Sequence, residues 1–539
     1  MKYSILICHS FFLLLAFLCL CEVAFSRQTD QPDLPITIFG QIRTVEPSTE
    51  VNLEFWENPM NVQSGAPAPL TELIKLTDGT LHQGTYGSTV FNWTSDSISQ
   101  PGRLTLSLGY KMLINDFLVF PGDSIQLYFD EYSGQLVFGG PAQSHFNLQN
   151  ELQNLQNRLF FNSPVNIHTY RLESMLRNGN SYEDFQNIQK NNFGRKVNIE
   201  IIDPPLMLEE LIGKIKSMKE LDLMLSLLNE NNEINPQVKN AIRNKLVDGR
   251  LTLYAKSLGT ILRYSTKLQD STTYSSALEF IENEFIPDLT SKGNEMESGD
   301  FHPYLTSISE LLKITEGAYP SRNTVGHITG NFKDELRDQL LASTIFLEYR
   351  RGISTDNRLR DIASSINQGP AKEEVNRLLE KTKTGVPVRH FEFTGESGEN
   401  ISLDQLKGQY LFIYTYFDGC NASSSYYNKS IKPVAEYFSD SKDLRIVSVS
   451  ADRTKNIWHS SLESKNYSDT NILNLYSKDK GVQHPFFSYY NLIGFPSQML
   501  IDPQGNIAAV SGFNHTAEEI IRRLEDFMAP KDNPDHIIH

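Results

Sequence analysis

The residues best suited to redox chemistry are Cys420 and Ser423, which follow the apolar run from Tyr410 to Thr415. That run predicts a strand, and the residues after Cys420 predict a helix, so the thiol is expected at a helix N-terminus. Unpaired N–H groups and the helix dipole favour a thiolate at this position, whereas Asp418, two residues earlier, opposes it. We predict a reactive thiol at Cys420, and the alternative is an ordinary, unactivated cysteine.

Ser423 occupies the position at which a Cys-x-x-Cys motif has its second sulfur. No intramolecular disulfide can form between these two positions, so any exchange must use one sulfur. We expect the Ser423 side chain to cap the helix. The alternative is a hydrogen bond from its hydroxyl group to the thiolate.

The N-terminus has the pattern of a signal peptide over residues 1–26, with Lys2 before an apolar run and Ala24-Phe25-Ser26 before Arg27. An uncleaved anchor is the alternative, but the apolar run is shorter than the roughly 20 residues of a membrane-spanning helix. We therefore expect cleavage and export.

Cys19 and Cys21 belong to this leader, and they are preceded by Leu18 and Leu20 rather than by the small residue that lipidation requires. Contact with a membrane is expected only if the chain is nevertheless lipidated. After cleavage, Cys420 is the only cysteine, so no disulfide within the chain can brace the fold.

The composition is that of a folded, acidic protein of 539 residues, with 39% hydrophobic residues and a net charge of −16. A chain of this length predicts about three domains. The acidic balance argues against a nucleic-acid partner, which requires clustered Lys and Arg. Because His459, His484 and His515 occur singly, we predict no metal site and no cofactor.

The periodicity of the hydrophobic residues changes twice along the chain. Short alternating runs over 36–141 predict antiparallel strands and a β-sandwich domain. Apolar residues at three- and four-residue steps over 142–384 predict an all-α middle domain, whose helices break at Asp203-Pro204-Pro205, Asn235-Pro236 and Gly369-Pro370. Strands alternate with helices over 385–530, which predicts an α/β domain, and 531–539 reads as a flexible tail.

Three motifs in order give the last domain a family resemblance. They are Ser402-Leu403-Asp404-Gln405-Leu406-Lys407-Gly408, then Cys420, and then Gly494-Phe495-Pro496 followed by Leu500-Ile501-Asp502-Pro503-Gln504-Gly505. Together they resemble the thioredoxin-like domains of TlpA/ResA-type thiol-disulfide oxidoreductases, which face the bacterial envelope. The resemblance implies a thioredoxin-like fold, a cis bond at Pro496, and contact of Phe495 and Pro496 with an extended substrate peptide.

The chain departs from that family at two positions besides Ser423. The resemblance implies an acidic or amide side chain six residues before the first cysteine, where it helps to move a proton. Tyr414 stands there and cannot act as a base near neutral pH. A peroxiredoxin would need Thr where Phe417 stands, so peroxidase activity is disfavoured.

Two classes of function remain open. The first is thiol-disulfide exchange on envelope or secreted proteins by a protein of the periplasm or cell envelope of a Gram-negative bacterium. The second is a redox-inactive module that binds extended peptides in the thioredoxin-type groove. The aromatic pairs Tyr426-Tyr427, Phe486-Phe487 and Tyr489-Tyr490 could line such a groove, but we expect them in the core.

Overall fold

The computed structural model describes residues 33–45, 49–57, 69–81, 87–172, 197–294, 323–351, 356–492, 494–513 and 515–529. The predicted leader (1–26) and tail (531–539) lie outside these residues. The chain divides into two compact units. The first combines Met1–Glu50, Ile74–Gly102 and Val119–Gln143, and the second combines Val51–Leu73, Arg103–Leu118 and Ser144–His539.

The described part of 34–139 consists of strands joined by turns. The strands are β1 (Leu34–Arg43), β2 (Glu50–Trp56), β3 (Leu70–Lys75), β4 (Thr77–Asp78), β5 (Thr89–Ile98), β6 (Gly102–Leu108), β7 (Lys111–Val119), β8 (Ser124–Asp130) and β9 (Gln135–Gly139). Their side chains alternate in burial, as in β8, where Ile125, Leu127 and Phe129 are buried between half-exposed neighbours. The predicted β structure of this segment is therefore confirmed.

These strands form two sheets. The first unit contains a five-stranded sheet in the order β4-β5-β1-β8-β9, and a four-stranded sheet in the order β3-β2-β6-β7 lies largely in the second unit. Strands β1 and β8 pair in parallel, so the prediction of antiparallel pairing is wrong at this pair. The long connection between them allows a parallel return, which an alternating pattern cannot reveal. That the sheets form a sandwich remains a prediction.

The middle of the chain is mainly helical, as predicted. Its described helices are α1 (Gln143–Asn162), α2 (Pro204–Ser217), α3 (Lys219–Glu230), α4 (Pro236–Leu268), α5 (Ser271–Phe280), α6 (Ile286–Asn294), α7 (Thr324–Asn331), α8 (Asp334–Arg351), α9 (Asp356–Ser364) and α10 (Pro370–Lys381). Helices α2, α4 and α10 start at the predicted prolines, and the side chains of Asp203 and Asn235 cap the first two of these. One π-helical turn, Ile281–Phe285, joins α5 to α6.

The middle segment is not purely helical, which corrects the all-α prediction. Strands β10 (Val165–Thr169) and β11 (Val197–Ile201) form a two-stranded parallel ladder, and each of them has only five residues. Such short strands carry too little alternation to be separated from helical sequence by periodicity alone.

The C-terminal segment forms one seven-stranded sheet in the order β13-β12-β16-β15-β14-β17-β18. Its strands are β12 (Glu392–Thr394), β13 (Asn400–Ser402), β14 (Tyr410–Tyr416), β15 (Leu444–Ser450), β16 (Leu473–Tyr476), β17 (Gln498–Ile501) and β18 (Ile507–Ala509). Strands β14, β15 and β16 are parallel, whereas β17 runs antiparallel to β14 and β18 antiparallel to β17. This arrangement fits the thioredoxin-like fold that the sequence resemblance implies.

Helices follow β14, β15, β16 and β18 of this sheet. They are α11 (Asn421–Tyr426), α12 (Lys432–Tyr437), α13 (Lys455–Ser464), α14 (Pro485–Tyr489) and α15 (Ala517–Met528). A π-helical turn, Tyr427–Ile431, makes α11 and α12 continuous. In the described part of the chain, no helix combines the length and apolar character needed to cross a membrane.

Strand β14 is buried on both faces, because helices cover both sides of the sheet. Leu411 and Ile413 belong to a core that also includes side chains of the middle helices, whereas Phe412, Tyr414 and Tyr416 belong to a second core on the opposite face. The middle helices and the C-terminal sheet therefore share one hydrophobic core within the second unit.

A polar contact reinforces that shared core. The hydroxyl group of Tyr349, in α8, donates a hydrogen bond of 2.8 Å to the carbonyl oxygen of Tyr490, just after α14. The Tyr490 hydroxyl in turn accepts one of 3.0 Å from the backbone N–H of Arg389. These bonds fix the segment that leads to the loop of Phe495 and Pro496.

Candidate functional site

Cys420 lies where β14 passes into α11. Its backbone is extended, and it is the N-cap residue of the helix, whose continuation through the π turn ends at Tyr437. The sulfur accepts a hydrogen bond from the backbone N–H of Ser423 at 3.4 Å. The thiol is free and partly exposed. The predicted position of Cys420 at a helix N-terminus is therefore confirmed, and the geometry lets a backbone donor stabilise the sulfur.

The loop of Phe495 and Pro496 lies directly beside the thiol. The peptide bond between these two residues is cis, as the resemblance implies. The Cys420 sulfur is 3.9 Å from the carbonyl oxygen of Phe495. The Phe495 ring meets the ring of Phe417 edge to face, with centroids 5.3 Å apart. The structure thus brings together Cys420, Phe495 and Pro496, which the sequence placed 75 residues apart.

Neither of the two hydrogen bonds predicted for the Ser423 side chain is present. That side chain is 2% exposed, and its hydroxyl oxygen has no hydrogen-bond partner among the described residues. It does not cap the helix, because Cys420 is the N-cap residue and the Ser423 backbone N–H is the capped group. Nor does its hydroxyl bond to the sulfur. The error has a simple cause: the helix begins at Asn421, so residue 423 lies inside the first turn.

Tyr414 is confirmed as unable to serve as a base. The residue is 1% exposed, and its hydroxyl group donates a hydrogen bond of 2.5 Å to the carbonyl oxygen of Tyr467. Burial raises the pKa of Tyr414 well above its usual value. The side chain therefore supports the backbone at Tyr467 and holds its proton.

Two side chains that the sequence interpretation missed hold the turn before Cys420. An oxygen of the Asp452 carboxylate accepts a hydrogen bond of 2.7 Å from the backbone N–H of Asp418. The hydroxyl of Tyr467 accepts one of 2.9 Å from the backbone N–H of Gly419. Gly419 has a φ of +85°, a left-handed conformation that glycine adopts without strain.

Asp452 could have been found from the sequence. It follows β15, which is parallel to β14, and the carboxyl ends of parallel strands meet at one edge of a sheet, where ligands bind. Burial raises the pKa of Asp452 above its usual value, and the charge of Asp418 adds to this effect. Burial also raises the pKa of Tyr467, with smaller contributions from Asp418, Cys420 and Asp452. Tyr467 lies in a loop, and no pattern in the sequence indicated that it would reach the turn before Cys420.

The aromatic pairs belong mainly to the core, as expected. Tyr426, Tyr427, Phe486, Phe487 and Tyr490 are each at most 8% exposed, whereas Tyr489 packs partly buried against the core. Tyr426 and Tyr427 belong to the core on one face of the sheet, and the other two pairs pack into the core on the opposite face. Among the described residues, no three or more His, Cys, Asp or Glu side chains are arranged to hold a metal ion.

Comparison with known proteins found likeness in solved structures only. No protein-family model matches the chain, and no curated protein matches it. A thioredoxin domain of a thiol-disulfide oxidoreductase from Bacteroides vulgatus is 25% identical, with 27% of this chain and 98% of that one covered and a TM-score of 0.23. A thiol:disulfide interchange protein from Bacteroides sp. is 26% identical, with 30% and 99% covered and a TM-score of 0.24.

A third structure, described as a thiol:disulfide interchange protein DsbE from Chlorobium tepidum, is 19% identical, with 27% and 96% covered and a TM-score of 0.23. Part of this chain thus matches thioredoxin-like domains of thiol-disulfide oxidoreductases. TM-scores in this range carry no inference about chemistry.

Proposed function

We propose that this protein performs thiol-disulfide exchange through the single sulfur of Cys420. The observation that carries the proposal is the position of that sulfur, which is partly exposed, accepts the Ser423 N–H at 3.4 Å and faces the Phe495 carbonyl at 3.9 Å. A helix N-terminus favours the thiolate, which is the reactive form in exchange.

Thiol-disulfide exchange at Cys420 does not require a second cysteine in the chain. The Cys420 thiolate attacks one sulfur of a partner disulfide, a new S–S bond forms, and the other partner sulfur leaves as a thiolate that takes a proton from water. An external thiol must then attack the mixed disulfide, since position 423 offers only a hydroxyl group. Exchange through Cys420 is therefore slow to turn over but retains the partner.

The proposal extends to location and partners. The leader pattern of residues 1–26 supports export, and the motif resemblance supports an envelope protein of the TlpA/ResA type in a Gram-negative bacterium. The partners would be envelope or secreted proteins that present a cysteine or an extended peptide. Backbone hydrogen bonding beside Pro496 would hold such a peptide in either case.

A redox-inactive binding module is the second candidate. Serine at position 423 leaves no resolving thiol, whereas the edge-to-face pair of Phe417 and Phe495 beside Pro496 remains available for binding.

A defined probe separates the two candidates. The probe is a peptide whose cysteine is joined by a disulfide bond to 5-thio-2-nitrobenzoate. The protein tested is residues 27–539, and its Cys420→Ser variant is the control. Exchange predicts release of nitrothiobenzoate about tenfold faster than by N-acetylcysteine at pH 7, with the peptide retained until an external thiol is added. Insulin reduction with dithiothreitol as external thiol should also rise above the Cys420→Ser level.

Release no faster than that by N-acetylcysteine, together with unchanged insulin reduction, would refute exchange. Binding of the same peptide without its nitrothiobenzoate group, equal in the wild type and Cys420→Ser, would then establish the binding module.

A further inference from the structure

The two backbone amides that precede Cys420 in its turn are both bound by side chains from distant parts of the chain. Asp418 donates to the carboxylate of Asp452, 34 residues further on, and Gly419 donates to the hydroxyl group of Tyr467, 48 residues further on. The turn also bonds within itself, because the Cys420 N–H donates to the Phe417 carbonyl oxygen at 3.3 Å. The Asp452 carboxylate and the Tyr467 hydroxyl therefore bind the two amides that this bond leaves unused.

The carboxylate of Asp452 is itself tightly held. The residue is 3% exposed, and its second oxygen accepts a hydrogen bond of 2.7 Å from the hydroxyl of Ser450. The hydroxyl of Ser461 lies 3.5 Å from the same oxygen. A buried carboxylate is costly unless its oxygens are bonded, and here one oxygen accepts the Asp418 N–H and the other accepts the Ser450 hydroxyl.

Tyr467 is held from two sides. Its ring stacks on Tyr416 with centroids 5.3 Å apart and an angle of 5° between the planes. Its carbonyl oxygen accepts the hydroxyl of Tyr414. Tyr414 therefore helps to position the turn, because its hydroxyl group binds Tyr467, whose own hydroxyl group binds the Gly419 N–H.

We infer that Asp452 and Tyr467 are positioning residues that hold the Cys420 turn so that its sulfur faces the Phe495 carbonyl. The inference rests on the proposed function for its consequence in exchange, but the clamp itself is a property of the fold. Exchange with a peptide requires the sulfur at a fixed distance and angle from the bound chain, whereas alkylation by a small reagent does not. Loss of the clamp should slow the first reaction and spare the second.

The central variants are Asp452→Ala, which removes the acceptor, and Asp452→Asn, whose amide oxygen can still accept the Asp418 N–H. Asp502→Ala is the matched control. Asp502 also accepts backbone N–H bonds in a turn, from Gln504 and Asn506, but it follows β17, which runs antiparallel to β14 and ends at the opposite edge of the sheet.

We expect Asp452→Ala to slow release of nitrothiobenzoate from the peptide probe about fivefold, with alkylation by iodoacetamide changed by less than about twofold. Asp452→Asn should restore release to within about twofold of wild type, and Asp502→Ala should leave both rates unchanged. Tyr467→Phe should slow release as Asp452→Ala does, because it removes the acceptor for Gly419. If the wild type reacts with the probe, equal peptide rates in the wild type and Asp452→Ala would overturn the inference, and so would failure of Asp452→Asn to restore the rate.

Hydrogen–deuterium exchange tests the clamp independently of any activity. The peptide segment carrying Asp418 and Gly419 should exchange about tenfold faster in Asp452→Ala than in the wild type, while the same segment in Asp502→Ala should not change. If the wild type shows no exchange chemistry but the amides lose protection in Asp452→Ala, the proposed function fails and the clamp stands. Unchanged protection in Asp452→Ala refutes the clamp itself.

Discussion

Replacing Ser423 by Cys tests the geometry of the site most directly. Ser423 is 2% exposed, and within the part of the chain that the structure describes its hydroxyl has no hydrogen-bond partner. Its backbone nitrogen lies 3.4 Å from the Cys420 sulfur. A buried hydroxyl without a hydrogen bond costs roughly 1–3 kcal/mol in proteins. A thiol is a weaker polar group, so the reduced variant should be at least as stable as the wild type.

Oxidation of the new pair should then add stability. Closing a ring over the four residues 420–423 lowers the entropy of the unfolded chain by an amount worth about 2 kcal/mol at 25 °C. In residues 27–539 the wild type has no second cysteine to form such a ring, so only the variant should unfold at a midpoint that depends on reductant. The buried Trp458 reports this transition by fluorescence when Trp56 and Trp93 are replaced by Phe.

The variant should also gain disulfide reductase activity, because the second sulfur can attack a mixed disulfide on Cys420. Insulin reduction is the assay, and Ser425→Cys is the matched control. Ser425 is exposed and five residues after Cys420, so it does not share a helix face with the first sulfur. The gain should be limited, since Tyr414 holds its proton and cannot assist the second thiol.

Two results would count against this reasoning. If Ser423→Cys forms no disulfide under mild oxidation, the placement of Cys420 and residue 423 on the first helical turn is wrong. If the disulfide forms readily but no turnover follows, the geometry is correct and the missing proton acceptor limits the reaction.

Four further results follow from the structure. A thiol reagent should label the folded mature protein once, at Cys420, and protection until denaturation would contradict the exposure of the sulfur. Reductant should not shift the unfolding midpoint of the mature wild type, and a shift would indicate a disulfide-linked dimer or a retained leader. Tyr349→Phe should lose about 1–2 kcal/mol in denaturant unfolding, because the buried Tyr490 carbonyl loses its donor; an unchanged midpoint would contradict that bond. The pKa of Asp452 is raised in the folded state, so its contribution to stability is greatest in acid and declines as pH rises through that pKa. Asp452→Asn should therefore gain stability relative to the wild type between pH 4 and pH 7, and a constant difference in unfolding free energy would refute this.

The sequence alone predicted most elements of the C-terminal segment. The strand at 444–450 has the bounds that its apolar run indicated, and prolines marked the starts of three helices in the middle segment. The short strands β10, β11 and β16 gave no usable signal, since four or five residues are too few for a periodicity. The parallel pairing of β1 and β8 could not be predicted either, because the alternation of hydrophobic and polar residues does not specify strand direction.

At the site, the sequence determined the chemistry and the fold determined the geometry. One sulfur at 420, a hydroxyl at 423 and a tyrosine at 414 follow from residue identity, and they limit exchange to a single thiol. The tertiary structure decided that the Ser423 hydroxyl is buried with no partner in the described residues, and that Asp452 and Tyr467 bind the turn. Local sequence carries helix starts and strand periods because these depend on neighbouring residues. Hydrogen bonds across 34 or 48 residues depend on how parallel strands align at one edge of a sheet, and only the folded chain fixes that alignment.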